Sequence, residues 1–120
     1  MKPTASNTFN GFFAGKTKPH IERSIRTHRG ALTKIFRYID KTCNAITVLP
    51  TSKGGREIET LRAKMEEKIE EIEAGYNTLI EMQPDEESKY LEKKAGISNE
   101  AIQTHARILP ALAKCHARSL

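Results

Sequence analysis

The chain has no tryptophan, and aromatic residues make up only 6% of its 120 positions. A large aromatic core is therefore excluded. Cysteine is almost as scarce: Cys43 and Cys115 lie far apart and follow no motif spacing. A disulfide framework or a paired-ligand zinc site needs closer spacing, so neither is expected and both thiols are read as reduced. No apolar run approaches the roughly 20 residues that span a bilayer. The opening MKPTASNTFNGFFAGKTK lacks the unbroken hydrophobic stretch of a secretory signal. The reading is an intracellular protein without a membrane partner, in the cytoplasm rather than the nucleus.

A catalytic constellation is also missing. The glutamate pairs Glu66-Glu67 and Glu70-Glu71 read as a solvated helix face. Acid–base catalysis needs a carboxylate set apart in a pocket with a shifted pKa, and nothing here marks one. No nucleophile, base and orienting group recur in a usable pattern. Asn10 to Thr17, NGFFAGKT, ends like a phosphate-binding loop. That loop needs four residues between its glycines so that successive backbone N–H groups wrap the phosphates. Gly11 and Gly15 leave three, no hydrophobic strand precedes them, and Pro19 follows closely. The soft metal ligands are His20, His28, His105 and His116 with the two cysteines, and only Cys115-His116 are close. Adjacent helical residues point about 100° apart, which does not suit one metal ion. The expectation is a non-enzymatic protein with no cofactor, no metal and no small-molecule substrate.

What the chain does have is helical periodicity. Glu57 to Met82 reads EIETLRAKMEEKIEEIEAGYNTLIEM. Ile58, Leu61, Met65, Ile72, Leu79 and Met82 recur in steps of three and four or their sums, with Ile69 and Tyr76 beside them. This is an amphipathic stripe that needs a partner helix to bury it. Residues 20–49 carry a second stripe: Ile21, Ile25, His28, Leu32, Ile35, Ile39, Thr42, Ile46 and Leu49. Gly30 is a weak point, costing about 1 kcal/mol relative to Ala in a helix, and a break there is allowed for. Pro50 ends the first helix, and Thr51 to Gly55 read as a short flexible connection. Two long helices with a short connection make an antiparallel hairpin.

Charge divides the same way. Residues 1–56 hold eleven Lys and Arg against Glu22 and Asp40, a net +9. Residues 57–95 hold twelve acids against six bases, a net −6, and the remainder carries +2. The two halves can pair within one chain or between copies. Beyond Pro84, DEESKYLEKKA reads as a short helix ended by Gly96. Ser98 or Asn99 then caps a weaker helix with Ile102, Ala106, Leu109, Leu112 and Ala113 on its apolar face, which Pro110 kinks or ends.

The expected architecture is all-α: a long antiparallel, coiled-coil-like helical hairpin with one or two short C-terminal helices. Residues 1–19 are read as a flexible tail whose apolar cluster is Phe9, Phe12 and Phe13, and residues 20–95 as the hairpin domain. Residues 96–120 are read as a C-terminal helical segment, frayed or cut from a longer polypeptide. The interaction seam is Ile25, Leu32, Ile35, Ile39, Ile46, Ile58, Leu61, Met65, Ile72 and Leu79. The flanking Arg23, Arg26, Arg29, Lys34, Arg37 and Lys41 either face the acidic helix and water or contact a nucleic-acid backbone.

The order RGALTKIFRYID, a linker, LRAKMEEKIEEIEAGYNTLIE and then MQPDEESKYLEKK resembles the N-terminal helical region of BEL/Pao-type retrotransposon Gag-like polyproteins, over about residues 21–95. The resemblance implies a self-associating structural protein and carries no active-site residues. Departing from that family's polyproteins, the sequence shows no zinc knuckle, protease or polymerase region. The expected function is protein–protein association, including homo-oligomers. The alternative is a nucleic-acid-associated module that binds phosphates through the basic first helix.

Overall fold

The computed structural model describes residues 15–119. Three long helices account for nearly all of them: α1, Lys18–Val48; α2, Ser52–Met82; and α3, Glu87–Ser119, with a 3₁₀ turn at Pro84–Glu86 before α3. The phenylalanine cluster of the tail lies outside the described residues.

The starts of α1 and α2 have local causes. Thr17 caps α1, accepting a hydrogen bond from the His20 N–H, and Pro19 sits in the first turn, where a missing N–H costs nothing. Thr51 caps α2 by accepting from Gly54 N at 2.9 Å. The connection is therefore shorter than expected, because Ser52 to Gly55 belong to α2 and not to a flexible linker. Both glycines are buried in that first turn. A methyl group on Gly54 would stand 3.0 Å from Ile46 Cγ1, and one on Gly55 3.2 Å from Cys115 Cβ. Their job is close approach of helices.

The hairpin is present as expected. Gly54 lies against Ile46, and His28 reaches Glu71, so numbers rise along one helix as they fall along the other. The α2–α3 pair is antiparallel by the same test: Cys115 meets Gly55, His105 meets Glu66 and Lys94 meets Asn77. Hence α3 runs parallel to α1, and Arg29–Glu100 and Asp40–Arg107 pairs fix their register. The bundle measures 57 × 24 × 19 Å. The exposed Gly30 does not break α1.

The C-terminal part differs in length from the expectation. It is one helix of 33 residues that runs through Gly96 and contains Pro110. A proline inside a helix costs about 3 kcal/mol. Ile97, Ile108, Ala111, Leu112 and Cys115 are buried on either side of it. Full burial of one large aliphatic side chain contributes about 1.5–3 kcal/mol, so a few outweigh the proline. The helix also crosses the expected boundary between residues 95 and 96 without interruption.

Of the apolar face expected from the sequence, Leu112 alone is buried. Ile102 and Leu109 are 65% and 60% exposed, and Ala106 and Ala113 are exposed too. The core face is Tyr90, Ile97, Thr104, Ile108, Ala111 and Cys115, recurring every seven residues or in steps of three and four. Thr104 conceals this pattern in the sequence. Its hydroxyl donates to the Glu100 carbonyl at 2.8 Å, so it is buried without an unsatisfied group.

Candidate interaction faces

All ten expected seam residues pack into the interior of one chain. Ile25, Leu32, Ile39, Ile46, Ile58, Met65, Ile72 and Leu79 are buried, while Ile35 and Leu61 are half-buried against them. α2 therefore buries its stripe against its own chain. Leu49 and Met82, at the stripe ends, are exposed. The seam determines the fold and leaves the outer faces as the surfaces a partner can meet.

A small polar cluster interrupts the α1–α2 seam. Glu71 Oε1 lies 3.2 Å from both His28 Nδ1 and Lys68 Nζ, and the two nitrogens are 3.4 Å apart. All three side chains are partly exposed. His28 thus fills a partly buried polar place within the stripe. Lys68 carries its ammonium to this pair at the bundle surface.

The basic and acidic faces do not neutralise each other in the way the charge split suggests. Of the six candidate cations, Arg29 alone makes an ion pair within 4 Å among the described residues, and its partner is Glu100 of α3, not a glutamate of α2. The contact is 2.8 Å but off the hydrogen-bond line, so it is mainly Coulombic. Arg23, Arg26, Lys34, Arg37 and Lys41 are exposed. At about 100° per residue these five fall within roughly an 80° arc, opposite the buried Ile21, Leu32 and Ile39. The reason is geometric: flanking positions reach across a helix pair, whereas these sit at the back of the helix.

Sequence reasoning missed three residues beside this stripe, Tyr38, Lys53 and Arg56. Tyr38 is 58% exposed. It lines a cavity of 260 Å³ with Lys34, Arg37 and Lys41. It also lines a larger one of 660 Å³, with Thr42, Lys53, Arg56, Glu57, Thr60 and Leu61. The turn into α2 brings Lys53 and Arg56 beside Tyr38, a juxtaposition with no signal in the linear order.

The outer face of α3 has a different character. Leu91, Ala95, Ile102, Ala106, Leu109 and Ala113 are all exposed. They fall within roughly a 60° arc, on the side away from its core residues. This apolar line is about 33 Å long at 1.5 Å per residue. His105, which meets Glu66 of α2 at 3.6 Å, borders it.

Both cysteines are buried, and neither takes part in a disulfide. Burial, and secondarily the Asp40 charge, pushes the Cys43 thiol above its ordinary range. Burial also raises the Tyr76 phenol, against a smaller opposing effect of Arg29. Among the described residues no three His, Cys, Asp or Glu side chains gather as a metal site, and no helix is long and apolar enough to cross a membrane. Comparison with protein families, with curated proteins and with solved structures returns no match for this chain.

Proposed function

We propose that this protein is a non-enzymatic helical module for protein–protein association, self-association included. The observation that carries the reading is the outward apolar line of α3, with Leu91, Ile102 and Leu109 46%, 65% and 60% exposed. Large apolar side chains aligned on one exposed face are the usual mark of an interaction surface. Their alignment supports a helix or helix pair as the occupant, because one helix presents a matching stripe. A single line of six side chains, three of them alanines, suits weak, concentration-dependent contacts. A Gag-like structural role is of this class, and weak contacts repeated over many copies are how such a role would work.

Sedimentation of the chain over a range of concentrations tests self-association. The mass is expected to rise above the 13.5 kDa of a single chain. Ile102→Asp is expected to abolish the rise while leaving the circular dichroism unchanged, because the side chain is mostly exposed. A mass that stays at 13.5 kDa at every concentration removes the self-association branch.

A second reading has its own observation. The exposed cations Arg23, Arg26, Lys34, Arg37 and Lys41 of α1 make no ion pair within 4 Å among the described residues, which supports contact with a phosphate backbone. Binding to a labelled oligonucleotide is expected to be tight at low salt and to fall steeply as salt is added. Absence of binding at about 50 mM salt removes this reading.

A further inference from the structure

We infer that Tyr38 is a base-stacking platform for single-stranded nucleic acid, set in a cradle formed by Lys34, Arg37 and Lys41 of α1 with Lys53 and Arg56 of α2. The inference rests on the second reading above and adds a site and a preference for unpaired strands.

An exposed tyrosine is unusual in this molecule. Tyr90 is buried and Tyr76 half-buried, their rings 5.9 Å apart, and Tyr90 hydroxyl donates to Gln83 Oε1 at 3.1 Å. Both are held by the bundle. Tyr38, at 58% exposure, has concave surface on two sides, since it lines both the 260 Å³ and the 660 Å³ cavities. A ring so placed can accept a base on its π-face.

The charges around it suit the same ligand. Three cations of α1 line the smaller cavity and two of α2 the larger, and none of the five makes an ion pair within 4 Å among the described residues. The acids of α1 are engaged elsewhere, Asp40 with Arg107 and Glu22 with Lys18. Glu57 is the one acid lining the larger cavity, and it favours a strand that enters from the α1 side. Arg23 and Arg26 extend the cationic track along α1. From Arg23 to Lys41 it covers about 27 Å at 1.5 Å per residue, room for several nucleotides.

Duplex and single strand separate the contributions. Phosphate neutralisation acts on both, but a base can stack on a side chain only when it has left a duplex. The full chain is titrated into fluorescein-labelled oligo(dT) and oligo(U) of 12 nucleotides and into a duplex of equal length, and anisotropy is followed from 50 to 200 mM salt. Tyr38→Ala is expected to weaken single-strand binding about tenfold or more, to leave the duplex unchanged, and to keep the salt slope. Tyr38→Phe is expected to bind as the natural chain does. The variant Lys34→Gln, Arg37→Gln and Lys41→Gln should lower the single-strand salt slope by about 2. Circular dichroism shows whether each variant folds, and exposed positions are expected to leave it unchanged.

The failures are distinct. If neither strand form binds at 50 mM salt, the phosphate reading falls and the site falls with it. If both forms bind and Tyr38→Ala changes neither, the basic face stands and the stacking site is wrong. Equal losses on single strand and duplex also overturn stacking, since they make Tyr38 a shape or packing residue.

Discussion

Gly55 and Cys115 meet where α2 begins and α3 nears its end: a methyl group on Gly55 would stand 3.2 Å from Cys115 Cβ. Two positions sixty residues apart thus fix how closely the two helices approach at this end of the bundle. Gly55→Ala is expected to destabilise the fold by about 1–2 kcal/mol, because a buried neighbour must move to admit the methyl group. Alanine's better helix propensity, about 1 kcal/mol at most, only partly offsets this. Gly30 supplies the control. Nothing lies within 4 Å of a methyl group there, so Gly30→Ala is expected to stabilise by about 0.5–1 kcal/mol. Urea denaturation midpoints of the two variants should move in opposite directions. A Gly55→Ala midpoint at or above that of the natural chain would contradict the close-approach account.

Within the seam, depth sets the cost of truncation. Ile72 is fully buried whereas Leu61 is only half-buried. Ile72→Ala is expected to cost about 2–5 kcal/mol, and Leu61→Ala distinctly less, since part of its cavity opens to water. Denaturant unfolding at fixed protein concentration measures both. The reverse order would show that the seam does not close within one chain.

Stability is expected to fall at alkaline pH. The folded chain holds the Cys43 thiol and the Tyr76 phenol above their ordinary ranges, chiefly through burial. Both groups therefore bind protons more tightly folded than unfolded. Their stabilising contribution is complete below the unfolded values, about pH 8.5 for cysteine and pH 10 for tyrosine, and is lost as pH rises through the folded values. Thermal midpoints from pH 8 upward should decline, and Cys43→Ala should flatten the first part of that decline. A thiol-specific reagent should modify native Cys43 slowly. Fast modification at pH 8 would show that the thiol is not protected as the structure places it.

The hairpin was legible because Ile25, Leu32, Ile39 and Ile46 keep one period and Pro50 stops it cleanly. The third helix was harder to read. Its seam passes through Thr104, Ala111 and Cys115, residues with little hydrophobic signal, while the conspicuous Ile102 and Leu109 lie outside. Gly96 and Pro110 looked like breaks because their local cost is real. Only the burial of the residues around them shows that the cost is met.

By itself the sequence determined an all-helical chain with two long amphipathic stripes, a sharp turn at Pro50, and a basic half followed by an acidic one. Those properties are local: period, backbone restriction and charge can be counted along the chain. The tertiary structure alone decided that α3 is continuous, that its hydrophobic line faces outward, and that Arg23, Arg26, Lys34, Arg37 and Lys41 stand behind α1 rather than against α2. It also brought Lys53 and Arg56 to Tyr38. Such facts depend on which side of each helix the shared core claims, and that choice is made by packing among all three helices at once.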